Sequence, residues 1–299
     1  MSFILLGILN AQASGGGIPL AGYFAGGYGG SYISTVNKYL FADDSRSSLG
    51  TGLSSARQST AGFADNGVAG YTLGGQDSGG QTSTVDKFAF ADDSRSTLGT
   101  GLSQTSGSTA AGFANTGVAG YASLSGSSVI NKFAFPSDTR STSSDGTYSE
   151  CFGFSNGSVA GYFGRDDGRD VTKIAFPSDT KTTLSNSVPA NHESPSGFSN
   201  AGSAGYYIGG RDYPTYYQTI DKLVFSTDTV STLGGTIGVG VYGASGMSNN
   251  GNAGFYAGGV NNSNWRNICQ KMPFATETGS SVANLANTLW ESSAFANNE

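Results

Sequence analysis

Histidine occurs once in the 299 residues, as His192, and cysteine twice, as Cys151 and Cys269. The cysteines show no CxxC or other metal-ligand spacing, and one histidine cannot complete a zinc site with them. Both read as packing residues, and they do not fix a redox compartment. No G-x-S-x-G elbow, H-E-x-x-H pair or P-loop occurs, and a lone histidine without a paired nucleophile argues against hydrolase chemistry. Basic residues are also scarce: 15 Lys and Arg against 21 Asp and Glu leave a net charge of -6. That excludes nucleic acid as the main partner, because binding to phosphate backbones draws on clustered positive charge. The apolar run Phe3–Leu9 is far too short to cross a bilayer.

Glycine and aromatic residues are abundant instead. The chain holds 47 Gly, 18 Phe and 15 Tyr, while charged residues make up only 12%. A disordered chain lacks aromatics and carries high net charge, so this one should fold. Interior glycine costs a helix about 1 kcal/mol relative to alanine, and Ser and Thr add to that bias. The composition therefore predicts an all-β protein with many turns.

Three patterns each recur six times. The triplet A-G-[YF] places its aromatic at Tyr23, Tyr71, Tyr121, Tyr162, Tyr206 and Phe255. The pattern K-x-x-F-x-x-[DE] starts at Lys38, Lys87, Lys132, Lys173, Lys222 and Lys271, with its acids at Asp44, Asp93, Asp138, Asp179, Asp228 and Glu277. The pattern [GA]-[FM]-[AS]-[DN] centres on Phe63, Phe113, Phe154, Phe198, Met247 and Phe295. Turn signals such as Asn66-Gly67 join the third pattern to the first, and Thr84 to Phe90 alternates apolar with polar residues. Each repeat thus reads as a four-stranded meander of 41 to 50 residues, the signature of a propeller blade. The last first-strand segment, Ala294–Asn297, has nothing after it, and the N-terminal part starts at a second strand, Leu20–Tyr23. Together they predict a six-bladed β-propeller closed by pairing of the C-terminal strand with the N-terminal blade.

Over residues 17–299 the repeats resemble kelch repeats: paired glycines follow an apolar strand, and an aromatic precedes an Asp-Thr turn, as in Phe135-Pro136-Ser137-Asp138-Thr139. Leucines such as Leu49 and Leu98 stand where kelch blades carry a fourth-strand Trp. The opening Leu5–Ala13 ahead of Gly/Tyr-rich repeats is similar to virion structural proteins of tailed bacteriophages, those of marine and cyanobacterial hosts in particular. That resemblance implies a tail-fibre or head-decoration protein, located on the virion and assembled in a larger complex.

The Lys and acid present in every repeat read as structural, since an active site needs one asymmetric constellation. They are expected to fix their own blade's third strand and turn, the acid bonding its local backbone. The loop Asp166–Asp170 resembles a calcium loop but lacks the EF-hand spacing and is flanked by Arg165 and Arg169, so no metal or other cofactor is expected. The step from third-pattern residue to A-G-[YF] aromatic is eight in each intact repeat, as from Phe63 to Tyr71. By contrast, the step from that aromatic to the Lys varies from 11 to 16. One face of the propeller is therefore constant and the other diverse, as in a recognition scaffold. The diverse face is expected to carry Tyr28, Tyr32, Arg165, Arg169, Arg211, Tyr213, Tyr216, Tyr217 and Trp265, residue types that dominate binding interfaces and stack on sugars.

Residues Phe3, Ile4, Leu5, Leu6, Ile8 and Leu9 precede an Ala11-Gln12-Ala13 sequence, which superficially suggests a signal peptide. No Lys or Arg comes before them, however, and the first positive residue is Lys38. Residues 1–16 are read as an anchoring segment that docks on a partner or on its own domain, ahead of the propeller. The expected function is a non-enzymatic virion component presenting a loop face to another virion protein or a host glycan, without membrane insertion. A secreted or surface lectin-like bacterial propeller is the alternative. Propeller enzymes of the sialidase or oxidase type need an arginine cluster or a Tyr-Cys-His ligand set, and one histidine disfavours the latter.

Overall fold

The computed structural model describes residues 20–107, 111–124, 126–144, 150–165, 169–184, 188 and 192–298. Among these there is no helix. The Asn-Gly and Thr-Gly turns fold back as expected, with Gly67, Gly117 and Gly157 in the left-handed region (φ 73°, 68° and 51°). Each A-G-[YF] strand is thereby paired with the preceding third-pattern strand. Six antiparallel sheets result. From inner to outer strand, blade 2 comprises Ala61–Asp65, Ala69–Leu73, Val85–Ala89 and Arg95–Thr97. Blade 3 runs Gly112–Asn115, Ala119–Ser123, Ile130–Ala134, Thr139–Ser143, and blade 4 Glu150–Asn156, Ala160–Arg165, Val171–Ala175, Thr180–Leu184. Blade 5 has Ser196–Asn200, Ala204–Ile208, Thr219–Val224 and Thr229–Thr236, and blade 6 Tyr242–Asn249, Ala253–Asn261, Cys269–Pro273 and Ser280–Ser281. Blade 1 takes its inner strand, Ser293–Asn297, from the C-terminal end and the other three, Ala21–Ala25, Val36–Leu40 and Arg46–Ser48, from the N-terminal end. Tyr23 lies opposite Phe295 in that pairing. The inner strands contact one another in a closed ring, and the chain is a six-bladed β-propeller as the repeats predict.

The three sequence patterns are halves of one interface. Within a blade, the third-pattern Phe, the A-G-[YF] aromatic and the Lys are cross-strand neighbours, as in Phe63, Tyr71 and Lys87. This row faces the next blade and meets its A-G-[YF] glycine, its K-x-x-F phenylalanine and its acid. A Cβ built on Gly120 would lie 2.1 Å from the Phe63 ring, and one on Gly70 would lie 1.9 Å from the Phe295 ring. The glycine is therefore required by the neighbouring ring rather than by its own backbone. Tyr71 stacks on Phe135 at 5.7 Å, and Tyr121 on Phe176 at 5.3 Å.

The charges follow the same rule, which corrects the expectation that each Lys and acid serve their own blade. Lys38 pairs with Asp93, Lys87 with Asp138, Lys132 with Asp179, Lys173 with Asp228, and Lys222 with Glu277, at 2.5–2.8 Å. Lys271 closes the circle on Asp44. In five interfaces the same acid accepts the hydroxyl of the A-G-Y tyrosine, for example Tyr71 to Asp138 at 2.7 Å. In the sixth, Phe255 has no hydroxyl, and Lys271 contacts both Asp44 oxygens. All six acids sit at φ 52° to 57°, which aims the carboxylate away from its own strand and toward the neighbour. The local turn bond comes instead from the preceding residue: Asp43 accepts from the Ser45 amide, and Asp92 from that of Ser94.

This architecture stores many phenols away from water. Burial, with the bond to the neighbouring carboxylate, holds Tyr23, Tyr71, Tyr121 and Tyr206 well above the usual phenol range. Burial does the same for Tyr207 and Tyr256. Above pH about 10 the unfolded chain releases these protons and the folded one does not. The resulting stability is complete below that pH and is lost as pH rises further. Melting temperature should thus be flat from about pH 7 to 9 and fall steeply above about 10, with tyrosinate absorbance appearing together with unfolding. Phenols that ionise near pH 10 in a protein still fully folded would contradict the packing described.

Candidate functional site

The two ends of the propeller differ in build. At one end, inner strands turn into second strands and third strands into outer ones, with the same spacing in each repeat. At the other, the second-to-third loops of blades 1, 2, 5 and 6 are long, and those of blades 3 and 4 short. Blade 2 adds the small hairpin Gln76–Asp77 with Gly80–Gln81, and blade 5 adds Arg211–Asp212 with Thr215–Tyr216. In blade 6, Asn264–Trp265 folds back on Val260 and Asn261, and in blade 1 Tyr28 bridges to Tyr32. These are the four blades with paired glycines. Both glycines of each pair lie at positive φ, and the second donates its N–H to the linker leading into the next blade: Gly27 to Arg57, Gly75 to Ser106, Gly210 to Val241, Gly259 to Leu289. The glycine pair thus ties each long loop to the linker beneath it.

On this end, blades 5, 6 and 1 carry a connected set of rings. Tyr28 meets Tyr32 at 5.5 Å and Trp265 at 5.6 Å, both edge to face. The Tyr28 backbone exchanges two hydrogen bonds with Trp290, whose ring is 6.0 Å from Tyr242. Tyr242 in turn supports Tyr216 at 6.0 Å and carries the Arg211 guanidinium 3.8 Å above its ring centre. Arg211 is held by a two-pronged ion pair, Nε and Nη2 to Glu193 at 2.6 and 2.7 Å. Those hydrogen bonds raise the guanidinium further above its ordinary value. The linkers below are laced together as Gly243 donates to Ser194, Glu291 to Gly243 and Ser59 to Glu291. Ser59 also donates its hydroxyl to the Glu291 carboxylate.

The structure therefore brings together Tyr28, Tyr32, Trp265, Arg211 and Tyr216 of the residues expected from sequence. Tyr213 stands at the tip of the blade 5 hairpin, 78% exposed, and Trp265 is also exposed. Tyr217 plays another part: its ring lies flat on His192 at 4.2 Å. His192 is buried 3.9 Å from Asp221, and burial keeps it below its ordinary pKa. Arg165 is exposed at the end of its strand in blade 4, and Arg169 donates Nε to the Val188 carbonyl. Neither makes a ring contact or ion pair with the cluster among the described residues. Asp166–Gly168 and the run Phe3–Leu9 lie outside the described residues. Sequence reasoning missed Glu193, Tyr242 and Trp290. The available signal for the last two was that both aromatics fall outside all three repeat patterns.

The axis is a narrow channel of about 200 Å³ lined by the inner strands of all six blades. A Cβ on Gly62, Gly112, Gly153 or Gly246 would come within 2.4–2.5 Å of the adjacent strand's carbonyl oxygen, so only the smallest residues fit there. Ser, Thr, Ala, Asn and Phe residues with Pro195 and Met247 complete the lining, and no carboxylate, imidazole, amine or thiol faces it among the described residues.

A six-bladed propeller whose chemistry-bearing surface is a loop face is consistent with a binding or structural role. No protein family matches the chain, and no curated protein does. Among solved structures, that of YjhT is similar over 89% of this chain and 98% of that one, with a TM-score of 0.65 and 11% identity. At that identity the likeness is one of fold.

Proposed function

We propose that this chain is a non-enzymatic binding protein, a virion structural or appendage component of a tailed bacteriophage. It presents its long-loop face to a host-surface glycan or another virion protein and is held on the particle through Phe3–Leu9. The observation that carries the binding reading is the interlocked ring cluster of blades 5, 6 and 1, with Tyr213 and Trp265 left exposed above it. Arg211 is paired with Glu193 and the neighbouring Asp212 is exposed, which favours a neutral glycan or a protein over an anionic sugar. The virion assignment rests on the resemblance of the opening Leu5–Ala13 to phage structural proteins.

Two altered proteins test both parts. Removing residues 1–15 should leave a soluble, folded propeller that no longer enters particles. The double substitution Tyr213→Ala and Trp265→Ala should leave incorporation intact and weaken host attachment or glycan binding by roughly 30-fold, the usual consequence of losing a contact worth about 2 kcal/mol. Wild-type occupancy of the truncated protein on particles would remove the anchor, and unchanged attachment of the double variant would remove the loop-face site.

A further inference from the structure

The linkers that enter blades 2 and 5 hold their loop-face hairpins in the same way. Each carries a buried ionisable side chain at the same step ahead of the third-pattern Phe, Arg57 before Phe63 and His192 before Phe198. The residue after it forms an antiparallel bridge with the hairpin of its own blade, Gln58 with Gln76 and Glu193 with Arg211. The two amides of the first bridge donate at 3.0 and 2.9 Å, and those of the second at 2.8 and 3.1 Å. Each ionisable side chain also meets a buried third-strand carboxylate, Asp86 or Asp221. What differs is the kind of charge. Arg57 bonds Asp86 and the Gly74 carbonyl through a guanidinium that stays charged at any ordinary pH. His192 stands in the same place with a group that titrates.

The Nε2 of His192 lies 3.9 Å from Asp221, the Tyr217 ring lies flat on the imidazole at 4.2 Å, and Nδ1 is buried with no hydrogen-bond partner among the described residues. The other charged groups around it are Asp212 and Arg211 on the hairpin and Glu193 in the linker, the last two paired with each other. Tyr207, opposite Asp221 on the second strand, has a buried hydroxyl that also lacks a partner. A neutral imidazole with its proton on Nε2, toward the carboxylate, leaves only an unused lone pair at Nδ1. An imidazolium adds an N–H there, with no acceptor in bonding geometry. Burial accordingly holds His192 below its ordinary value, against the pull of Asp221, the Gly209 carbonyl and Asp212. The added N–H gains water when Tyr217 lifts, and Tyr217 directly follows the return strand Thr215–Tyr216 of the hairpin.

We infer that His192 is a proton-operated latch: when its imidazole takes up a proton, the Arg211–Tyr216 hairpin and Tyr217 lift from the linker, while the blade 2 hairpin over Arg57 stays closed. Acidification thereby loosens the blade 5 part of the ring cluster. That consequence for binding rests on the loop-face reading, and the latch itself does not. Asp221 works the other way, since burial raises its carboxyl and proton uptake there favours the closed state.

Amide exchange of the full chain, corrected for the intrinsic effect of pH, tests the latch. Released to water, His192 has the ordinary value near 6.5, so an imidazole kept neutral while covered shifts the balance toward opening by about tenfold between about pH 7.5 and about pH 5.5. Protection at the Glu193 and Arg211 amides should fall severalfold over that range, about tenfold at most, and protection at Gln58 and Gln76 should hold. His192→Gln, which cannot titrate, should abolish the fall. Asp221→Asn, which installs the residue that blades 1 and 3 carry at this position as Asn37 and Asn131, should enlarge it. The imidazole Hε1 resonance belongs to a single residue and should titrate below about 6.5. Equal protection of the blade 5 hairpin at both pH values, the same fall in His192→Gln, or an imidazole titrating at or above its ordinary value would each overturn the inference. Unchanged attachment of the Tyr213→Ala and Trp265→Ala protein would remove the loop-face site and leave the latch standing.

Discussion

A chain ending at Glu291 should lose cooperative unfolding and aggregate. Residues 292–299 supply the inner strand of blade 1, pairing Ser293–Asn297 with Ala21–Ala25 over its whole length. They also supply one half of the interface with blade 2, through Phe295 and Asn297. Phe295 stacks on Tyr23 at 5.1 Å and lies against Gly70 of blade 2, and Asn297 accepts the Gly67 amide at 2.9 Å. Removal of one buried phenylalanine side chain alone costs about 3–5 kcal/mol, against a total of about 5–15 kcal/mol for a typical domain. With the strand gone as well, the Ala21–Ala25 edge is open to pair with other chains. A synthetic peptide covering residues 290–299 should restore a cooperative melt when added in excess. A truncated protein that melts within a few degrees of the full chain would show that the ring does not depend on this closure.

The second large effect is expected at Arg57. Its side chain is fully buried, with Nη2 2.9 Å from the Asp86 carboxylate and Nε donating to the Gly74 carbonyl at 2.9 Å. Burial alone would raise the Asp86 pKa, but the Arg57 charge and the bonds from Ser54 and Thr97 outweigh it and hold the carboxyl below its ordinary value. Arg57→Met leaves that buried carboxylate with the partly exposed Arg95, 3.3 Å away, as its remaining ionic partner, at a cost of about 3 kcal/mol. Because the native carboxyl is depressed, its contribution is present above the unfolded value near 4 and is lost as pH falls below it. The deficit of Arg57→Met should therefore shrink as the pH approaches about 4, where that carboxyl can take up a proton. Asp86→Asn in the same chain should recover most of the loss. Asn37 and Asn131 fill the equivalent position in blades 1 and 3, where each accepts a backbone N–H from the incoming linker, that of Ala286 or Ser103. Urea titration of the two variants from pH 4 to 8 measures both effects, and an Arg57→Met protein as stable as the parent would refute the buried-pair account.

The blades, their strand order and the closing pair could be read in the sequence because each depends on local spacing: a hairpin glycine, a period of two, a missing fourth neighbour. What could not be read is which residue faces which. Lys38 stands six residues before Asp44 and 55 before Asp93, yet it pairs with the distant acid. The left-handed backbone at Asp44 turns that carboxylate toward Lys271 instead. The same limit applies at the loop face. Tyr28, Trp265 and Arg211 stand out by residue type, but the partners that fix them, Tyr242, Trp290 and Glu193, come from an inner strand and from linkers that no repeat pattern marks. Tyr217 looked like a binding ring and serves to cover His192, a pairing only the folded ring brings about.

Borrowing the inner strand of blade 1 from the far end of the chain sets a timetable for synthesis. Tyr23 finds its partner Phe295 only after roughly 270 further residues have been made. At ~5–20 residues per second, the nascent chain carries an unpaired Ala21–Ala25 edge for between about 15 and 50 s while blades 2 to 6 emerge. Blade 1 has only three of its four strands throughout that interval, and every later blade docks onto a neighbour whose own position is not yet fixed by a closed ring. Closure of the ring therefore waits on the last strand to be made, in whatever order the earlier blades form.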